Sequence, residues 1–211
     1  KDNDTVARID ESIARVRLFH WGNRAFWAAF DQGMFAGANF IVNLLLARWL
    51  SPSQYGAFVL SYSFFLILGI IHNSLIVEPM LVLGSADYRA SIGSYYSILN
   101  KMHWQLAVLL MTLSLFVTLL IWIFGKAELA SAFWGLSINA PVILLLWLSR
   151  RVFYITASPK HSAYGGIAYG IGSIVFLIVL HSWIVLTPFT AYFAVGMASL
   201  VGLGYFYLLP S

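Results

Sequence analysis

Two carboxylates lie inside strongly apolar stretches of this 211-residue chain, where a charge is costly. Asp31 and Glu78 fall on two consecutive helices predicted to run in opposite directions. An ionisable group near a bilayer centre costs about 2.5–3.5 kcal/mol on insertion scales, so such residues usually face the protein interior or a wet cavity. We expect both carboxylates at similar depth, near the cytoplasmic end, where each could bind a cation or a proton.

Helical phase gives the first of these helices a polar side. At about 100° per residue, one face collects Asp31 and four other polar side chains: Arg24, Gln32, Asn39 and Asn43. Gly33 and Gly37 fall on another side. The small-residue side suits close helix packing, and the polar side suits an aqueous cavity. The alternative is that the amides only hydrogen-bond across a packed bundle.

The second helix is less regular. Pro79 directly follows Glu78 and should kink the helix and free a carbonyl. His72 has two equal interpretations, an interhelical hydrogen-bonding residue or a proton carrier.

A basic pair and a glycine group follow later in the chain. Arg150 and Arg151 end the fourth apolar segment. Their commoner role is an anchor at the lipid headgroups, and the sharper alternative is a phosphate-binding pair, because guanidinium groups bind phosphate oxygens bidentately. The glycines that open the fifth segment indicate helix packing, since neither a preceding strand nor a following Lys-Ser/Thr completes a nucleotide-binding loop: Gly165, Gly166, Gly170 and Gly172.

Composition decides which elements carry these residues. The chain is 61% hydrophobic and 9% charged, with a mean hydropathy of +0.83. A soluble domain is about 45–50% apolar and about 25% charged. Too few polar residues remain to cover a water-soluble fold, so we predict an all-α polytopic membrane bundle. Six segments reach spanning length: 25–50, 55–83, 102–124, 132–148, 165–186 and 189–209.

The basic residues orient this bundle. With the N-terminus inside, ten of the 12 Lys and Arg residues lie on the cytoplasmic side and only Arg48 and Lys126 lie outside. That bias follows the positive-inside rule and predicts a cytoplasmic N-terminus. Residues 1–24 form a separate cytoplasmic segment, in which apolar residues at three- and four-residue spacing predict an amphipathic surface helix. The alternative is a solvated helical tail.

Several stretches resemble a known family. They are the segment Phe30-Asp31-Gln32-Gly33, the segment from Leu44 to Pro52 with Tyr55-Gly56, the segment Glu78-Pro79-Met80-Leu81-Val82, and Arg150-Arg151-Val152-Phe153-Tyr154. This pattern, spread over about 30–150, resembles bacterial polysaccharide-biosynthesis flippases of the multidrug/oligosaccharidyl-lipid/polysaccharide exporter (MATE-like) superfamily.

The resemblance implies a fold of two six-helix bundles around a cavity that opens alternately to either side. Such proteins move polyprenyl-diphosphate-linked sugars across the inner membrane. Residues 25–211 would form one lobe of a 12-helix transporter, with a second lobe or a second copy as partner. The start at Lys1 and the end after Leu209-Pro210 suggest a fragment. The resemblance makes candidate diphosphate contacts of four arginines: Arg24, Arg48, Arg150 and Arg151.

Other classes of function fit less well. A multidrug/cation antiporter of the same superfamily is the main alternative, and it should need a more aromatic, less basic cavity. A membrane-embedded glycosyl- or acyltransferase would need an acid–base constellation, and the loops are short and poor in Asp, Glu and His. We therefore predict a transporter rather than an enzyme, with no cofactor and no metal site. A purely structural subunit is a further alternative. We expect the partners of the predicted transporter to be membrane lipids and lipid-linked oligosaccharide rather than nucleic acid, because the basic residues flank apolar segments.

Overall fold

A computed structural model describes residues 2–86, 88, 91–156 and 158–208, without the side chains of 2–20, 85, 86 and 92. Seven α-helices and one short π-helix make up this part of the chain. The α-helices are α1 (Asp2–Trp49), α2 (Pro52–His72), α3 (Glu78–Ala86), α4 (Ile92–Ile123), α5 (Ala127–Ile155), α6 (Pro159–Trp183) and α7 (Pro188–Leu208). The π-helix, Asn73–Val77, joins α2 to α3. The predicted all-α class is confirmed.

Five helical segments are long and apolar enough to cross a membrane, among the described residues. They are Pro52–Gly84, Gly93–Ile123, Ala127–Ile155, Pro159–Trp183 and Pro188–Leu208. The chain is therefore a multi-pass membrane protein by helix length and hydropathy. The remaining predicted span, 25–50, lies within α1 and is not among the five. This stretch carries Asp31 and Arg48.

The N-terminal segment is continuous with the first predicted span. One helix runs from Asp2 to Trp49 without a break at residue 24. The predicted amphipathic pattern of 1–24 falls on side chains outside the described residues, so it stays a prediction.

Turn chemistry sets the ends of the helices. The Ser51 hydroxyl caps α2 by accepting a hydrogen bond from the Gln54 amide, and the Gln54 side chain accepts one from the Ser51 amide. Thr187 and Thr190 do the same at the start of α7. Such reciprocal capping satisfies amides that have no partner inside the helix. The tight turn between Trp183 and Pro188 connects α6 to α7, and these two helices pack against each other.

α5 lies at the centre of the bundle and packs against α2, α4 and α7, while α6 packs against α7 and α1 against α6. Small residues permit these close approaches, as is usual where lipid gives helices no hydrophobic drive to associate. A Cβ on Gly170 would come within 2.9 Å of the Ala38 Cβ, and one on Gly172 within 3.3 Å of the Ala198 Cβ. The helix-packing interpretation of the glycines in α6 is confirmed.

The α1 glycines behave differently. Neither Gly33 nor Gly37 has any atom within 4 Å of the position of an added Cβ, so both face open space. The prediction that this side packs closely is wrong for the described chain. α1 instead packs on α6 through Asp31 and Ala38, which both are buried. The glycines on α6 supply the small surface that this contact requires.

Candidate functional site

α2, the π-helix and α3 follow one another without a loop and are together called the α2–α3 rod, residues 52–86. A groove separates α1 from this rod, and α5 forms the floor of the groove. α1 and α2 have little contact with each other. The space between them measures about 550 Å³, within the range of about 300–1,000 Å³ for small-molecule sites. Its polar lining comes from all three elements: Gln32 from α1, Asn73, Ser74 and Glu78 from the rod, and Arg150 and Arg151 from α5. Its apolar lining includes Phe35, Leu66, Ile70 and Trp147.

Asp31 lies beside this groove and is fully buried. Its Oδ1 accepts a hydrogen bond of 2.7 Å from the Arg150 Nη2. Its Oδ2 accepts hydrogen bonds from the Tyr154 hydroxyl at 2.6 Å and the Ser162 hydroxyl at 3.0 Å. A buried carboxylate is tolerated where a cation and further donors satisfy its oxygens. Asp31 therefore joins α1 to both α5 and α6.

Glycine makes room for this ion pair. A Cβ on Gly166 would lie 3.1 Å from the Asp31 Oδ1 and 3.7 Å from two nitrogens of the Arg150 guanidinium. Because α6 offers no side chain at this position, the carboxylate and the guanidinium can meet against its backbone.

Arg150 is held on several sides. Its guanidinium carbon lies 3.8 Å from the centre of the Phe35 ring, a cation–π geometry. Its Nε has no hydrogen-bond partner among the described side chains. The charge is matched by Asp31, and the side chain is 8% exposed. Arg150 is thus mainly a structural residue at the edge of the groove.

Arg151 differs from its neighbour. It lines the groove and is partly exposed, with its guanidinium carbon 5.3 Å from the centre of the Tyr154 ring. Within the described part of the chain it forms no ion pair. Arg151 is therefore a cation that remains available to an anionic ligand.

Glu78 stands on the opposite wall of the groove. Its Oε1 accepts a hydrogen bond of 2.9 Å from the Asn73 side-chain amide. It forms no ion pair with any described cation. The groove therefore has a basic wall on α5 and an acidic residue on the rod, while Asp31 is neutralised outside it. Asp31 and Glu78 have no common partner, so the two carboxylates have different environments.

The π-helix accounts for the irregularity predicted around Pro79. Its last turn is closed by the Glu78 amide, which donates to the Asn73 carbonyl. Proline has no backbone N–H to donate to the helical hydrogen-bond ladder. Short π-helical turns inside α-helices are rare, and those that occur are frequently at functional sites. The extra residue places Asn73 and Glu78 together on the groove.

The remaining polar residues of α1 separate into two other places. Asn39 and Asn43 bond to backbone carbonyls one turn earlier, and Asn39 also accepts a hydrogen bond from the Tyr169 hydroxyl. They line an enclosed space of about 20 Å³, enough for about one water molecule. Arg24 lines a separate depression of about 280 Å³ with Trp21, Tyr154 and Pro159. The polar face is therefore not one continuous cavity lining.

Sequence reasoning missed several members of the site. Tyr154 and Ser162 complete the shell of Asp31, and Phe35 and Trp147 form the aromatic part of the groove. A signal existed for Tyr154, because it follows Arg150 by four residues and so shares its helical face. Ser162 offered no such signal. His72 forms an interhelical hydrogen bond, as one of its two interpretations predicted, but its partner His103 was missed.

No group of three or more His, Cys, Asp or Glu side chains suited to a metal ion occurs among the residues that the structure describes. The chain matches no known family, no curated protein and no solved structure.

Proposed function

We propose that this membrane protein is a transporter, or one six-helix lobe of a transporter, that moves polyprenyl-diphosphate-linked oligosaccharide across a bacterial inner membrane. The groove between α1 and the α2–α3 rod carries the proposal. It combines the Arg151 guanidinium, which forms no ion pair with any residue that the structure describes, with amides at Gln32 and Asn73. The resemblance of 30–150 to polysaccharide flippases supports the same class of substrate.

The chemistry of the lining suits such a ligand. A diphosphate offers oxygens that a guanidinium binds bidentately, which favours Arg151 as its contact. Sugar hydroxyls both donate and accept hydrogen bonds, as the side chains of Gln32 and Asn73 do. A polyprenyl chain needs apolar surroundings, and the exposed side chains of Leu66 and Ile70 border the groove.

The groove lies toward the end of the bundle that the charge bias assigns to the cytoplasm. Arg150 and Arg151 lie near the end of α5, at Ile155. Substrate would therefore enter from the cytoplasmic leaflet. Transfer to the other leaflet by alternating access would require rocking against a second lobe or a second copy, as in transporters built from paired repeats.

The test is translocation of a lipid-linked oligosaccharide into proteoliposomes by the full-length protein. We expect the R151Q variant to lose most transport while remaining folded, because it removes a groove cation that forms no ion pair within the described ranges. The matched control is K160Q, which removes an exposed cation near the same end. Equal transport by R151Q and the unaltered protein would refute a phosphate contact at Arg151.

One observation favours the multidrug/cation antiporter as the second candidate. Glu78 faces the same groove as the aromatic rings of Phe35 and Trp147, and organic cations bind both carboxylates and aromatic faces. Under this alternative, the E78Q variant should abolish drug efflux while R151Q leaves it intact. The oligosaccharide transporter predicts a stronger loss for R151Q, measured as surface glycan in a deletion strain.

A further inference from the structure

A buried pair of histidines joins α2 to α4. The His72 Nε2 and the His103 Nδ1 are 2.9 Å apart. The rings meet edge to face with their centres 5.1 Å apart, and neither side chain is exposed. The two residues are 31 positions apart in sequence, so tertiary packing of the helices brings them together.

The hydrogen bond constrains the protons of this pair. A neutral imidazole carries one N–H and one bare nitrogen. The ring that donates the shared hydrogen has a bare outer nitrogen, and the ring that accepts it has an N–H on its outer nitrogen. This holds whichever of the two rings is the donor. The outer nitrogen of His72, Nδ1, has no hydrogen-bond partner among the described residues. The outer nitrogen of His103, Nε2, makes no well-aligned hydrogen bond there, and the backbone group nearest to that ring is the Pro141 carbonyl. The neutral pair thus keeps one free donor at one end and one free acceptor at the other.

Other charged groups do not engage the pair. In the part of the chain that the structure describes, neither ring forms an ion pair with a carboxylate. The charged and titratable side chains toward this end of the surrounding helices have other partners or face outward: Glu78 with Asn73, Tyr96 with Ser149, Arg150 with Asp31, Arg151 in the groove, and Lys101 exposed. Proton exchange at the pair is therefore governed mainly by the two rings themselves.

We propose that His72 and His103 form a shared proton-binding site that is coupled to the Asn73–Val77 π-helix. A hydronium ion gives one proton to the bare outer nitrogen of the pair and leaves as water. In the resulting singly charged pair, one hydrogen still lies between the rings and both outer nitrogens carry N–H. The hydrogen between the rings then passes from the newly protonated ring to the other ring, and that ring gives the hydrogen on its own outer nitrogen to water, which leaves as hydronium and restores two neutral rings. The net result is the transfer of one proton from one helix to the other.

The coupling follows from the position of His72. It is the last residue of α2, and the next residue, Asn73, begins the π-helix. Asn73 lines the groove and donates to Glu78. A charge gained at the pair adds a second unsatisfied N–H in buried surroundings, which favours rearrangement of adjacent backbone. The proposal does not depend on which substrate the groove binds.

Nuclear magnetic resonance of ¹⁵N-imidazole-labelled full-length protein in lipid vesicles tests the site over about pH 3 to 8, a range wider than the usual histidine window because the pair is fully buried. The H72Q and H103Q variants assign the signals. The first proton is gained by the pair as a unit, so we expect the signals of both rings to change with one midpoint that belongs to the pair rather than to either ring. Separate midpoints, or no change in either ring while the protein stays folded, would overturn the shared site.

A reporter on the groove tests the coupling. The chain has no cysteine, so an I70C variant carries a single fluorinated label at an exposed groove position. We expect the label signal to follow the ring midpoint, and to lose that response in the H103Q background. The matched control is H161Q, which removes a histidine bonded to Tyr205 and should leave the response intact. A label that ignores the ring midpoint, or that still follows it in H103Q, would refute the coupling.

Discussion

The Arg150 Nη2 donates a 2.7 Å hydrogen bond to the Asp31 Oδ1 and so joins α5 to α1, two helices whose backbones hardly meet. The Tyr154 hydroxyl binds the other carboxylate oxygen, and the Gln32 amide donates to that hydroxyl at 3.3 Å. α1 is therefore attached to the central helix by side chains rather than by close backbone packing. This attachment fixes one wall of the groove.

The first prediction concerns this ion pair. The D31N variant should lower the midpoint of thermal unfolding in detergent, because Arg150 would remain buried without a counter-charge. Removing one partner of a buried pair costs roughly 3–5 kcal/mol. The double variant D31L/R150M should be more stable than D31N, since no buried charge remains. If D31N and the unaltered protein unfold at the same temperature, Asp31 does not hold α1 in place.

The second prediction separates the two neighbouring arginines. R150Q should reduce thermal stability, because it leaves the Asp31 carboxylate without its ion-pair partner. R151Q should retain stability but lose affinity for a lipid diphosphate in vesicle-binding measurements. The reason is that Arg151 has no ion pair to lose among the described residues. Equal effects of the two variants on both properties would contradict the assignment of a structural role to one and a ligand contact to the other.

The third prediction uses matched glycines. A Cβ on Gly135 would lie 2.9 Å from the Phe189 Cα and 3.0 Å from its carbonyl oxygen, so G135A pushes the backbones of α5 and α7 apart. Overpacking of this kind costs typically about 1–3 kcal/mol. G37A is the control, since its Cβ would meet open space. We expect G135A to lower the midpoint of thermal unfolding and G37A to leave it unchanged. The opposite order would show that the packing of α5 on α7 differs from this description.

The fourth prediction concerns topology. Single cysteines at three exposed positions, R48C, K126C and K160C, can be labelled with a membrane-impermeant maleimide in intact cells. R48C and K126C should react from outside, and K160C should react only after the cells are opened. We expect this pattern because the positive-inside rule places Lys160 on the cytoplasmic side and Arg48 and Lys126 outside. Protection of R48C alone would mean that α1 does not cross the membrane, and labelling of K160C in intact cells would contradict the orientation.

Local pattern was enough to predict part of this architecture. Hydropathy and length predicted an all-helical membrane chain, and five of the six expected segments coincide with helices able to span a bilayer. The glycines of α6 were recognised as packing positions, and Asp31 as a residue that must face the protein interior. These properties depend on residue type and on the helical repeat, and both are determined by the local sequence.

Tertiary structure decided which polar residues act together. Helical phase gave Asp31, Gln32, Asn39 and Asn43 one common face, yet Asp31 is in an ion pair, Gln32 lines the groove, and the two asparagines border a small internal space. The helical repeat determines the direction in which a side chain points from its own helix axis. It does not determine which other helix lies in that direction. The partner of Asp31 lies 119 residues away, and only the packing of α1 and α5 on the rest of the bundle brings it within reach.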